Sequence, residues 1–201
     1  MRLLAAFLIA ASLAVVAAGC GDSDSSEPAA SSSSSAAAAT ETDAGGIDTL
    51  EGAGTDPVSA PPKSTEIALL ERVAVARHEG YDRVVFQFRN VLPGYRVEYV
   101  RPPLRQDGSG NVVDVAGQAF VVVRMEPASG FDLGTGEGEL VYKGPRRISG
   151  AAAGTAVVRE VVRIGDFEAV LNWAVGLDDR VDFRVLTLEG PPRLVVDFRN
   201  H

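Results

Sequence analysis

Arg83-Val84-Val85-Phe86-Gln87-Phe88-Arg89 is the stretch that decides the fold. Val84, Phe86 and Phe88 fall on one side of an extended chain, and Arg83, Gln87 and Arg89 fall on the other. Side chains of a strand alternate between two faces, so this spacing marks a half-buried β-strand.

The same alternation recurs outward from it. Tyr95, Val97 and Tyr99 alternate with Arg96 and Glu98. Residues 119–123, Ala-Phe-Val-Val-Val, form a nearly continuous β-branched run suited to a central strand. Residues 157–164 and 167–175 read as the next two strands, joined by a tight hairpin turning at Gly165-Asp166. Val181, Phe183 and Val185 alternate with Asp182 and Arg184, and Leu194, Val196 and Phe198 alternate with Arg193, Asp197 and Arg199. Pro93-Gly94, Asp107-Gly108-Ser109-Gly110-Asn111, Gly144-Pro145 and Gly190-Pro191-Pro192 supply turn chemistry between them. The pattern predicts an all-β domain, a two-sheet β-sandwich of about eight to ten short strands. One short helix is expected over residues 65–72, capped by Ser64 or Thr65. Tyr95, Tyr99 and Trp173 share the parity of core positions and are expected inside.

The amino terminus has a different character. Arg2 precedes an apolar run over residues 3–18, which ends in Ala17-Ala18-Gly19-Cys20. The run is short for a spanning helix, which needs about 20 residues, and its small-residue ending is that of a secretory signal. The small-small-Gly-Cys arrangement resembles a bacterial lipoprotein signal, with Ala17 where Leu is most often found. That resemblance implies a signal peptide over 1–19 and a diacylglycerol on Cys20, the one cysteine of the chain. A single cysteine cannot close an intrachain disulfide, and acylation removes its oxidation liability. The expected location is extracytoplasmic, on the outer face of the cell membrane, with the membrane reached through the N-terminal lipid.

Residues 20–63 read as the lipidated cysteine and a disordered Ser/Ala/acidic tether, and residues 64–201 as the folded domain. Between residues 21 and 63 there are eight acids and one base, Lys63. Such a composition, with no aromatic residue, buries too little surface to offset chain entropy. From Ser64 to His201 there are 19 acids and 17 bases, a net of −2, so the chain's −8 belongs mostly to the tether. A near-neutral domain with both signs interspersed argues against nucleic-acid binding.

Several segments of the domain resemble the actinobacterial AMIN-like lipoprotein domains. His78-Glu79-Gly80-Tyr81-Asp82-Arg83-Val84-Val85-Phe86 looks like their opening strand. Pro93-Gly94-Tyr95-Arg96-Val97-Glu98-Tyr99-Val100, Asp107-Gly108-Ser109-Gly110, Gly165-Asp166-Phe167-Glu168 and Pro192-Arg193-Leu194-Val195-Val196-Asp197 follow in the same order. The resemblance covers about residues 70–201. It implies two packed four-stranded sheets and a non-catalytic module that binds the cell envelope through peptidoglycan. AMIN domains usually sit beside amidases or secretins, and residues 1–201 are expected to hold no such domain.

Catalytic chemistry finds little support in the residues. A zinc amidase needs several converging His and carboxylate ligands, and the chain has two histidines, His78 and the terminal His201. A serine triad lacks a Gly-x-Ser-x-Gly elbow. Asp107, Ser109 and Asn111 mimic the start of a calcium loop, but Val112 and Gln118 stand where Gly and Glu are required, so a hairpin loop is expected. Gly134-x-Gly136-x-Gly138 reads as a flexible loop, and no cofactor is expected. Asp166, Glu168, Asp178, Asp179, Asp182 and Asp197 could pair for glycoside hydrolysis. Arg193 with Asp197, and Arg180 with Asp182, instead read as solvated ion-pair neighbours.

Binding is therefore the favoured expectation. Glycan recognition joins an aromatic platform to planar polar groups. Tyr81, beside a turn, is expected to be the exposed platform, with Arg83, Arg193, Asp197 and His78 as the polar companions. The expected ligand is peptidoglycan or another cell-wall polymer. A scaffold that recruits an envelope protein partner through a sheet edge is the alternative, and a wall-glycan hydrolase is the second alternative.

Overall fold

The computed structural model describes residues 50–134 and 136–200. Thirteen strands lie among them: β1 (Val58–Ala60), β2 (Ala68–His78), β3 (Tyr81–Phe88), β4 (Gly94–Val100), β5 (Ala119–Glu126), β6 (Ala128–Ser129), β7 (Phe131–Asp132), β8 (Glu139–Leu140), β9 (Arg147–Ser149), β10 (Val158–Phe167), β11 (Val170–Leu177), β12 (Phe183–Leu188) and β13 (Arg193–Arg199). Eight have six residues or more; the alternation predicts seven of them, all but β2, and the other five are pieces too short to show a period.

A six-stranded sheet runs β1-β4-β5-β11-β10-β9, and a five-stranded sheet runs β12-β13-β3-β2-β6. All pairings are antiparallel except β2 with β6. The inward face of the smaller sheet brings Val84, Phe86, Phe88, Phe183 and Phe198 into the core, and the larger brings Val97, Val123, Met125, Leu171 and Trp173. Phe86 and Tyr142 both meet the Trp173 ring edge-on, with centroids at 5.9 and 5.5 Å. Each buried side chain of this size contributes roughly 1.5–3 kcal/mol. Asp82, buried on β3, accepts hydrogen bonds from the Val157 and Val158 N–H groups at 2.7 and 3.0 Å, linking the sheets at one end.

The outer face of the larger sheet carries a second apolar layer. Leu104, Val113 and Val115 pack over Val162, Ile164 and Ala174. The Arg105–Val112 bridge closes the expected hairpin loop, and Asp107 at its tip accepts from Asn172 Nδ2 at 2.5 Å.

Three expectations are corrected. Residues 65–72 form no helix: Ser64 Oγ accepts from the Glu66 N–H in a local turn, and β2 begins at Ala68. A bulge between Leu70 and Arg72 inserts one residue, so Leu70 and Val73 are three apart, a spacing that imitates a helix. The hairpin does not turn at Gly165-Asp166. β10 runs through both, and the turn falls at Glu168-Ala169, between the paired Phe167 and Val170. Gly165 sits at a bulge where a Cβ would overlap the Asp107 carboxylate. Finally, the stretch expected as tether is ordered from Leu50 onward. Leu50 is 2 % exposed, Gly54 bridges Phe183 through hydrogen bonds of 3.0 and 2.9 Å, and β1 pairs with β4. The signal, Cys20, the tether over 21–49 and His201 lie outside the described residues.

Candidate functional site

The nominated residues sit on three neighbouring strands of the smaller sheet. Asp197 on β13 pairs in register with Arg83 on β3 and with Arg184 on β12. Strand parity puts all three on the outer face, away from Phe86 and Phe198. Tyr81, two residues before Arg83, shares that face, as does His78, its partner across β2. The register thus assembles four of the five nominated residues from positions over 100 apart in the chain.

Their arrangement departs from the expected solvated pairs. The Asp197 carboxylate is fully buried. Arg83 donates to it through Nε and Nη2 at 2.7 and 3.0 Å, and Arg184 donates through Nε at 3.0 Å. Two guanidiniums share one buried carboxylate, and the fork geometry fixes both. Tyr81 is corrected from exposed platform to buried packing: only 2 % of it is accessible. His78 stacks on its ring at 4.8 Å, and the Arg83 and Arg184 guanidiniums lie 5.0 and 5.7 Å from its centroid. Both cations can gain from the ring's negative face.

Arg193 occupies the same face further along β13, opposite Gln87, but it is not the partner of Asp197. The other expected pair is corrected as well. Asp182 meets Arg199 at 3.4 Å, and Arg180 lies 4.2 Å from the Tyr99 ring centroid. Tyr95 and Tyr99 pack against the core as expected, and Trp173 lies fully within it. Arg184 is the residue the sequence reading missed. Its signal was present, because it alternates with Phe183 and Val185, but its pairing with Asp197 depends on the β12–β13 register.

Arg72, Arg83, Arg184, Arg193 and Arg199 share this face with Glu71, Asp182 and Asp197, five bases against three acids. The domain as a whole is slightly acidic, so the positive charge is gathered here. Among the described residues no group of three or more His, Cys, Asp or Glu could hold a metal ion, and no helix is long and apolar enough to cross a membrane.

Comparison with known proteins agrees with the fold. No curated protein and no solved structure matches the chain. The AMIN-like domain matches residues 68–200, from the first residue of β2 to the residue after β13. Well over half of the sequence is covered, and the matched segment holds every strand of both sheets except β1, together with the arginine-rich face. The chain belongs to the AMIN-like domain family, whose setting is the cell wall.

Proposed function

We propose that this protein is a non-catalytic, lipid-anchored envelope protein whose AMIN-like sandwich binds peptidoglycan or another anionic cell-wall polymer. The observation that carries this reading is the arginine-rich outer face of the smaller sheet, in a domain of a family associated with the cell wall. Wall polymers present carboxylates and phosphodiesters. A row of guanidiniums held in fixed orientation recognises such groups with charge-assisted hydrogen bonds. The buried Asp197 sets the orientation of Arg83 and Arg184, while Arg72, Arg193 and Arg199 extend the positive strip. Cys20 supplies the membrane attachment.

The test is co-sedimentation of the full chain, in detergent, with purified wall sacculi. Retention at low salt that weakens as salt rises, and that falls in an Arg72→Gln, Arg193→Gln double variant, is the expected result. A chain that stays in the supernatant at low salt would overturn the reading. Cross-linking in cells to one envelope protein, without retention on sacculi, would favour the scaffold role. For the anchor, Cys20→Ser is expected to release the protein from membranes.

A further inference from the structure

A second feature lies around the β10–β11 turn. Four of the six exposed large hydrophobic side chains among the described residues, Ile67, Phe131, Leu133 and Phe167, line one open cleft of about 750 Å³. Soluble domains seldom gather exposed apolar groups in one place unless something covers them, and the volume falls within the range of ligand sites.

The polar groups of the cleft define what can enter. Its ionisable lining groups are all acids: Glu66, Asp132, Asp166 and Glu168. Its side-chain donors are already spent. Asn90 Nδ2 donates to Glu66 Oε1 at 2.7 Å and to the Ile67 carbonyl at 2.9 Å. Ser129 Oγ donates to Asp166 at 2.8 Å, and Asp166 also takes the Gly130 N–H and faces Arg163 at 3.7 Å. Asp132 Oδ1 takes the Gly134 N–H at 2.8 Å, so the lining acid without a partner among the described residues is the exposed Glu168 on the turn. A sugar needs acceptors and donors from its site, and an anion needs donors. The ligands that bring only donors are the ammonium, with three N–H groups and no acceptor, and the guanidinium; of the two, the ammonium is the compact charge that a single carboxylate such as Glu168 can hold. The apolar walls add that the ammonium is carried on an aliphatic stem, as in a lysyl-type side chain.

We propose that this cleft binds the aliphatic amine of a diamino-acid side chain presented on a peptide of the cell wall. The stem packs between Phe131, Leu133 and Phe167, and the ammonium meets Glu168. The choice of a wall peptide as source rests on the proposed function above; the amine chemistry rests on the cleft alone.

The experiment is calorimetric titration of the full chain in detergent with acetyl-Ala-Lys-Ala-amide and with its norleucine analogue. The lysine peptide is expected to bind about tenfold more tightly than the norleucine one, a difference of about 1.4 kcal/mol, and to weaken with salt. A Leu133→Ser, Phe167→Ser double variant, altering two exposed side chains, is expected to bind the lysine peptide about tenfold more weakly with an unchanged melting temperature. Glu168→Gln should weaken lysine binding while leaving the norleucine peptide unaffected. Equal affinity for the two peptides, undiminished binding by the double variant, or no heat at millimolar peptide would each overturn the proposal. The double variant should keep its low-salt retention on sacculi, because the arginine face lies on other strands. Loss of retention in Arg72→Gln, Arg193→Gln with intact peptide binding would separate the two sites.

Discussion

Asp197 and Arg83 stand opposite each other on β13 and β3, and the guanidinium grips the carboxylate with two hydrogen bonds of 2.7 and 3.0 Å where no solvent reaches the acid. A carboxylate in that position is tolerable only while its cations remain. Equally, Arg83 and Arg184 are tolerable side by side only while Asp197 separates them. The unit is a structural device first, and it presents the face on which binding is proposed.

Asp197→Ala is therefore expected to cost about 3–5 kcal/mol, since it removes the buried carboxylate that lies between two adjacent, largely buried guanidiniums. Urea denaturation followed by far-UV circular dichroism measures it. Arg96→Ala, which breaks the exposed Arg96–Glu98 pair within β4, should cost under about 1 kcal/mol. Similar losses from both substitutions would mean that Asp197 is solvated after all.

The ordered stretch before β2 gives a second expectation. Leu50 is buried, and Gly94 packs so closely that a Cβ there would lie 2.5 Å from Pro62 Cδ and 2.8 Å from the Glu126 carbonyl. Gly94→Ala should thus destabilise the domain by about 1–3 kcal/mol by prising this segment from β4 and β5. Leu50→Ala should cost about 2–4 kcal/mol. Thermal melts of both variants check the point, and two unchanged melting temperatures would show that residues 50–63 contribute nothing to the fold.

These cases show what the sequence could and could not convey. Strict alternation around Phe86, Val97 and Phe198 revealed the long strands, because each has one face in the core and the other in solvent. β2 was misread because its bulge at Glu71 shifts the period and gives Leu70 and Val73 a helical spacing. The turn at Glu168-Ala169 was missed because neither residue is a customary turn former, whereas Gly165-Asp166 is. Leu50 and Val58 sit singly in a polar stretch, so no periodic signal marked them. The candidate site was half legible. Parity put Arg83 and Asp197 outward, yet only the strand order β12-β13-β3 could say that Asp197 lies between two arginines and that Tyr81 is covered by them.

A pH dependence follows from Tyr99. Its hydroxyl donates to the Val181 carbonyl at 2.7 Å and accepts the Val181 N–H at 3.0 Å. Burial pushes its pKa above the ordinary 10.0, with the Val181 hydrogen bond and Arg180 opposing. The fold holds the neutral phenol, so this contribution is fully present below about pH 10 and is lost as pH rises through the higher folded value. Burial moves Tyr142 in the same direction. Stability should fall as pH rises above about 10, and Tyr99→Phe should flatten part of that fall while costing about 1–3 kcal/mol at neutral pH. Urea midpoints across the alkaline range supply the measurement. An identical alkaline slope in Tyr99→Phe would remove Tyr99 from the explanation.

The β10–β11 turn stores removable strain. Glu168 and Ala169 have φ of 51° and 58°, the left-handed region, and they join the paired Phe167 and Val170 in a two-residue loop. Hairpins of this kind favour Asn-Gly, because a Cβ in the left-handed region costs roughly 1–2 kcal/mol. The turn is nonetheless fixed: the Ala169 carbonyl accepts the Ala128 N–H at 2.8 Å, tying it to β6. Ala169→Gly removes the steric cost and keeps that hydrogen bond, at the price of more freedom in the unfolded chain. The net expectation is a gain of about 0.5–1 kcal/mol, read as a higher melting temperature. Because Glu168 keeps its side chain at the lip of the cleft, the lysine peptide should bind this variant with unchanged affinity. A lower melting temperature would mean that the hairpin closes through a turn of different hand.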